Sequence, residues 1–340
     1  MSETSLTTYS MWRLFRDCRR ACQLRYLDRL APLQRAQCLS FGSVMHDALE
    51  RWHGGQSLTT VLQFIDQTYP NRATDDEQRK DWHLATAMMK GYGARYPQEA
   101  FEVVALEKTF EGPIVNPATG AVSRSFTLGG KVDGIVKQNG QYFLLEHKTA
   151  SQIDGSYLER LWTDFQITLY TWYVEETLGI PIAGVLYNIL EKAKLQQGKG
   201  ETEAEFEARR AELLEKSKTG KTSAKRKVPE SDEEFQARLA EKYSGTGVFH
   251  RELLYLSREQ YKPLRAELWE LTQAFLDARR RGHFYQNTSQ CFQYNRPCPY
   301  FPLCSSNNNP NVRENLYAIQ DPHEELLNAD AKPVHEREEF

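Results

Sequence analysis

Asn139-Gly140 stands between two strand-like runs. A two-residue type I′ turn suits this pair because it needs positive φ at both positions. Gln138 then faces Gln141, and counting back along both strands sets Asp133 opposite Glu146. On a regular ladder their Cβ atoms lie about 5 Å apart on one face, and Lys148, two residues beyond Glu146, projects from the same face. A bulge would shift this. Like charges directly opposite each other destabilise a sheet, so something must offset the repulsion. A divalent cation would: carboxylate oxygens with open water positions suit Mg2+ or Mn2+. A lysine beside such an ion can orient a water or stabilise developing phosphate charge. The structural alternative is that Lys131 and Lys148 simply pair with the carboxylates.

Sulfur forms the second constellation. The segment Met1 to Tyr9 lacks the basic and apolar regions of a signal peptide, and no apolar run approaches the roughly 20 residues of a membrane span. A cytosolic, reducing location is therefore expected, where six cysteines point to metal binding or catalysis rather than disulfides. Cys291-x6-Cys298-x5-Cys304 lies at the end of the folded body and Cys18 in the first helix. Four thiolates suit Zn2+ or an iron-sulfur cluster. Cys22, one helical turn from Cys18, competes for the first position; Cys22 and Cys38 otherwise read as structural or spare thiols.

The run Gly130-Lys131-Val132-Asp133-Gly134, followed thirteen residues after Asp133 by Glu146-His147-Lys148-Thr149, resembles the active-site hairpin of the PD-(D/E)XK nuclease superfamily. Upstream, Phe41 to Glu50 resembles the helix that supplies a metal-binding histidine in RecB-like members, here His46. Downstream, Asp164 to Tyr170 resembles their Gln/Tyr motif, with Gln166 and Tyr170 on one helix face. The cysteine arrangement is similar to the iron-sulfur branch that includes AddB and a CRISPR-associated exonuclease. It departs in the longer Cys291–Cys298 spacing and in Arg19 where a proline is usual. The resemblance covers roughly residues 9 to 305. It implies a restriction-endonuclease-like α/β fold and a Mg2+- or Mn2+-dependent deoxyribonuclease, an exonuclease of recombination, repair or phage-type DNA processing. It implies metal ligands His46, Asp133, Glu146 and the His147 carbonyl, with Lys148 at the attacking water. Gln166 and Tyr170 would contact the scissile strand or orient Lys148, and Glu107 is a candidate for a second metal. Cys18, Cys291, Cys298 and Cys304 would hold a [4Fe-4S] cluster. The implied partners are single- or double-stranded DNA ends and a helicase or recombination protein, with no membrane. The alternative is a non-catalytic nucleic-acid-binding module with a structural cluster; the intact Asp133, Glu146 and Lys148 argue against it. No GxxxxGK[ST] phosphate loop supports an enzyme of another class.

The elements that must position these groups divide the chain. Residues 1–98 read as an N-terminal helical region with Cys18 and His46: a helix capped by Ser10 and running to Leu27, then Phe41 to Trp52, Leu58 to Tyr69 and Trp82 to Tyr92. Residues 99–190 read as the core, with strands Phe101 to Phe110, Phe126 to Val136 and Tyr142 to Lys148, one helix from Tyr157 to Leu178, and a strand from Ala183 to Leu190. Residues 191–247 look like a charged insertion of two short helices around a basic loop. Residues 248–305 hold a strand, a helix from Lys262 to Arg281 and the cysteines, and 306–340 an acidic, loosely ordered tail. The net charge of −3 hides an uneven distribution. Residues 305 to 340 carry eight acidic and three basic side chains, leaving 40 basic against 38 acidic elsewhere. Arg13 to Arg35 has seven arginines against two aspartates, Lys216 to Lys227 has six basic residues and no acidic one, and Arg279 to Arg281 is a triplet. Such clusters suit phosphate backbones.

Overall fold

The computed structural model describes residues 4–33, 41–293, 296–323 and 326; Cys38 lies outside them. Strand β1 (Ser5–Thr8) leads into helix α1 (Tyr9–Asp17), the single turn α2 (Arg19–Cys22), a π-helical turn over Gln23–Leu27 and strand β2 (Leu30–Pro32). Helices α3 (Phe41–His53), α4 (Leu58–Thr68) and α5 (Asp76–Arg95) follow. Strands β3 (Glu102–Val115), β4 (Val122–Gln138) and β5 (Gln141–Ala150) precede α6 (Gly155–Leu161), α7 (Phe165–Leu178) and β6 (Ile182–Glu191). Helices α8 (Glu203–Glu215) and α9 (Asp232–Ser244) come before β7 (Phe249–Tyr255) and α10 (Tyr261–Arg281). The pair β8 (Phe292–Gln293) and β9 (Arg296–Pro297), helices α11 (Phe301–Ser305) and α12 (Pro310–Leu316) and strand β10 (Tyr317–Ile319) complete the order.

Strand β4 is the spine of a six-stranded mixed sheet. Antiparallel β3 runs along one of its edges; the other is shared by β1, parallel to Phe126–Gly129, and β5, antiparallel to Gly134–Gln138. The crossover through α6 and α7 brings β6 parallel to β5, and β7 closes antiparallel on β6. Asn139 and Gly140 take φ of 51° and 80°, as the turn requires. The expected register holds from Gln138–Gln141 to Gly134–Leu145, and the paired residues stop one step before Asp133 and Glu146.

Helices cover both sides of the sheet. With α1, α7 and α10, Trp12, Phe15, Phe126 and Phe275 form an edge-to-face aromatic cluster with centroids 5.2–5.8 Å apart. Each such buried side chain contributes about 1.5–3 kcal/mol of transfer free energy. Helices α3, α4, α5 and α9 form a second core containing Met45, Leu49, Ile65, Met88 and Tyr92. Among the described residues no helix is long and apolar enough to cross a membrane.

Five features differ from the sequence expectation. Pairing of β1 with β4 keeps the chain extended through Thr8, so Thr8 rather than Ser10 caps α1, accepting from the Met11 N–H at 3.4 Å. The first helix does not run to Leu27, because Cys18 is extended at φ −156° and ψ 109° while the Asn287 amide donates to the Asp17 carbonyl at 2.8 Å. The helix expected over 157–178 is two, since the Asp164 carboxylate accepts from the N–H groups of Gln166 and Ile167 and starts α7. The stretch 191–247 is not all peripheral: Phe235, Leu239 and Tyr243 of α9 lie on one helical stripe and are buried in the second core. Only residues 199–229 stand out from it, above a neck where Glu230 N–H donates to the Gly198 carbonyl at 2.9 Å and Gly198 N–H to the Glu230 carboxylate at 2.7 Å. Beyond Cys304 the chain forms α12 and then β10, which pairs antiparallel with β2, so residues 306–319 are part of the fold and not a loose tail.

Candidate active site

Strand β5 carries Glu146, His147 and Lys148 to the end of the hairpin ladder. There the Asp133 carboxylate turns to the neighbouring strand: Oδ2 accepts the His147 backbone N–H at 2.7 Å, and Oδ1 lies 3.3 Å from Nδ1 of His46 on α3. Lys148 Nζ donates to Glu146 Oε1 at 2.5 Å and stands 3.7 Å from Asp164 Oδ2. Lys131 pairs with Glu107. The hairpin thus brings Asp133, Glu146, His147 and Lys148 together, and α3 adds His46. Glu107 sits on β3 with φ of 48°, a left-handed conformation that costs a non-glycine residue energy and tends to occur at functional sites. Its carboxyl is pushed up by burial, held back by Lys131, and raised further by the charges of Asp133 and Glu50.

The two central carboxyls are driven apart. Burial alone would raise Asp133, but the His46 hydrogen bond and charge, then His147 and its N–H, outweigh it and hold the group below the usual carboxylate range. Glu146 is pushed up by burial and then by the charge of Asp133, against the pull of Lys148. Burial would lower Lys148, yet Glu146 and Asp164 together keep it firmly protonated. Asp133 is thus balanced by His46 and Glu146 by Lys148, and a hard cation would have to displace these partners to bind the carboxylates.

His46 is raised because Asp133, and then Glu146, overcome its burial. His53 and His147 are lowered to about 2 and about 4, in each case first by burial. In a histidine NMR titration, His46 is expected to lose its proton above the ordinary value of about 6.5, while His53 and His147 stay neutral from pH 5 to 8. Added Mg2+ should bring the His46 midpoint down by taking over the Asp133 charge. A His46 midpoint below the ordinary value, unmoved by Mg2+, would contradict this electrostatic picture.

Gln166 and Tyr170 both lie on α7, but Tyr170 is packed into the core. Its ring meets Phe110 edge-on at 4.9 Å and Tyr9 at 6.5 Å and lies against Gly130, where a Cβ would stand 2.8 Å from its Cζ. Gln166 is half-buried in the first turn. Asp164, the α7 cap, carries the contact to Lys148. Its role was available in the sequence as an aspartate opening a helix, though not the lysine it would meet. Also unforeseen is a buried polar group including His53, Tyr92 and Asn188, which adjoins His147. Asn188 was detectable as the one amide in an otherwise apolar strand.

At the other end of α1, Cys18, Cys291 and Cys298 all lie near enough to Cys304 to act on its charge. The Cys304 thiol is raised by burial and, against Arg20, by Cys298, Cys18 and Cys291. Cys18 Sγ accepts from the Asn287 N–H at 3.5 Å, and Cys298 N–H donates to the Cys291 carbonyl at 2.7 Å. None of these four is in a disulfide. Cys22 instead faces the core, its Sγ 3.7 Å from the Met11 carbonyl, its thiol raised by burial. As placed, no group of three or more His, Cys, Asp or Glu side chains among the described residues could hold a metal ion. His46 and Lys148 now occupy the carboxylates, and both would have to turn to admit one. By donor chemistry, two carboxylates beside an imidazole fit Mg2+ or Mn2+, and four unoxidised thiols fit iron-sulfur or zinc.

The hairpin of a mixed sheet thus gathers an aspartate, a glutamate and a lysine, with a histidine from a flanking helix. The chain belongs to the PD-(D/E)XK nuclease superfamily, whose family model matches residues 7–305. No curated protein matches significantly. A solved structure described as "Crystal structure of SSO0001" is similar at 13% identity over 72% of this chain and 77% of that one, with a TM-score of 0.25, too loose a superposition to carry weight.

Proposed function

We propose that this chain is a Mg2+- or Mn2+-dependent deoxyribonuclease acting on DNA ends, as an exonuclease of recombination, repair or phage-type DNA processing. The observation that carries the reading is the meeting of Asp133, Glu146 and Lys148 at the end of the hairpin, with His46 on Asp133 and Asp164 on Lys148. Asp133, Glu146, His46 and the His147 carbonyl would hold the cation, which supplies Lewis-acid polarisation and a more acidic water. Lys148, steered by Glu146 and Asp164, orients the attacking water and offsets charge on the phosphate. Gln166 would contact the scissile strand or orient Lys148, whereas Tyr170, packed against Phe110 and Gly130, serves the core; Glu107 is the candidate for a second cation. The four gathered thiols support a [4Fe-4S] cluster of the RecB-like iron-sulfur kind on Cys18, Cys291, Cys298 and Cys304. A cytoplasmic setting with a helicase or recombination partner belongs to the same reading.

The test follows end-labelled single- and double-stranded DNA, linear and circular, with Mg2+ or Mn2+. Loss of linear DNA with circles spared is the expected result. Cleavage of circles would make the enzyme an endonuclease, and no cleavage of any DNA would remove the reading.

Residues 199–229 contain the basic segment Lys216 to Lys227 and stand clear of both cores. Excising them above the Gly198–Glu230 neck should leave a folded protein whose DNA affinity at moderate salt is weaker and whose salt slope is shallower, with a smaller loss of single-turnover cleavage rate. Unchanged affinity and slope, measured by fluorescence anisotropy across a salt series, would leave the segment a bystander.

A further inference from the structure

Behind the hairpin lies a buried polar group that neither the family match nor the metal reading explains. His147 and Asn188 are partners in the parallel pairing of β5 and β6, so their side chains lie side by side, 2% and 0% exposed. The Asn188 amide nitrogen is 3.0 Å from His147 Nδ1 and 3.0 Å from the Tyr92 hydroxyl. Arg251 donates to the same hydroxyl at 2.9 Å, and the hydroxyl lies 3.2 Å from His53 Nε2. With two donors on its oxygen, the Tyr92 hydroxyl has both His53 Nε2 and Glu99 as acceptors for its own proton. His53 Nδ1 lies 3.5 Å from Glu99 Oε1, and Arg251 pairs the same carboxylate at 2.7 Å. His53 stacks on His147 with centroids 5.2 Å apart, and His147 meets the ring of His46 edge-on at 5.9 Å.

Buried amides and hydroxyls in an apolar sheet are costly unless they bond one another; here the Asn188 amide nitrogen, the Tyr92 hydroxyl and His147 Nδ1 do so, while Asn188 Oδ1 and His147 Nε2 find no hydrogen-bond partner among the described residues. The His147 ring belongs to the residue whose backbone N–H holds Asp133, and it also backs His46, which meets the other oxygen of the same carboxylate. Fixing the ring therefore fixes the peptide between Glu146 and Lys148 and limits where Asp133 can turn.

We infer that Asn188 is a positioning residue for the metal-binding carboxylate: its amide clamps the His147 ring and so sets the His147 backbone that holds Asp133. The inference rests on the nuclease reading and adds to it a requirement for the reverse side of the sheet. Partners one step removed from a metal's ligands typically govern its affinity by roughly 10–100-fold, and a clamp on the backbone beside a ligand should act on that scale.

The test compares full-length parent and Asn188→Leu by calorimetric titration with Mn2+ alone, without DNA, beside DNA affinity in EDTA and single-turnover cleavage across a Mn2+ series. Asn188→Leu should bind Mn2+ roughly 10–100-fold more weakly, keep its DNA affinity in EDTA, and regain much of its cleavage rate at high Mn2+. A structural role alone would not be rescued by metal. Should the leucine variant not fold, Tyr92→Phe, which removes only the hydroxyl, is expected to weaken Mn2+ binding in the same direction by a smaller factor. Unchanged Mn2+ affinity in a folded Asn188→Leu, or in Tyr92→Phe where the leucine variant fails, overturns the inference while sparing the nuclease reading. A parent protein that neither binds Mn2+ nor cleaves DNA removes both.

Discussion

Glu146→Gln and Lys148→Ala are each expected to lower single-turnover cleavage of linear DNA by at least about 10²- to 10³-fold, with far-UV circular dichroism and DNA affinity close to the parent's. Glu146 is buried with its one strong contact to Lys148. Glutamine keeps an oxygen for that lysine and removes only the negative charge a cation needs. Lys148→Ala removes the ammonium held between Glu146 and Asp164 and leaves the carboxylates without their compensating charge, so this variant should also take up Mg2+ readily while failing in turnover. Wild-type rates in either folded variant would detach that residue from the chemistry.

Cys18→Ser is expected to give the second large effect. Anaerobically purified parent protein should be brown and contain iron and acid-labile sulfide; the serine variant should lose all three and unfold on the order of ten degrees lower. Cys18 precedes Cys291 by 273 residues, so a shared cluster closes a very long loop and restrains the unfolded chain accordingly. The two ends are already in contact, through β2 with β10 and through the Tyr300 hydroxyl on the Leu30 carbonyl at 2.8 Å, so the cluster acts as a staple on a formed joint. Cys22→Ala should keep its iron, because that thiol faces the core. Stoichiometric zinc without iron would leave the ligands in place and overturn the cluster, and full iron in Cys18→Ser would move the first ligand elsewhere.

The hairpin was legible because its information is local. A two-residue turn that needs left-handed backbone at Asn139 and Gly140 sets the register of everything behind it, and Gly134 pairs with Leu145 as that count requires. The final approach of Asp133 was less so, since the ladder stops before it and a long-range contact from α3 decides where its carboxylate points. Helix α9 is one of the two helices expected in the charged stretch, but its buried face is not legible: three apolar residues at four-residue spacing form a narrow stripe, and only the groove beside α5 makes them core. Cys18 breaks a helix that propensity would continue, for the sake of a contact with Asn287 far along the chain. The network at Asn188 depends on the crossover that sets β6 beside β5, and no local pattern specifies that pairing.

The most direct measurement of the central claim follows one round of cleavage of end-labelled linear DNA, with Mg2+ and with Mn2+, by the parent and by a Glu146→Gln/Lys148→Ala double variant purified identically. The account predicts metal-dependent shortening of the DNA by the parent, abolished by EDTA, and none above background by a folded double variant that still binds DNA. Undiminished turnover by that double variant would contradict it.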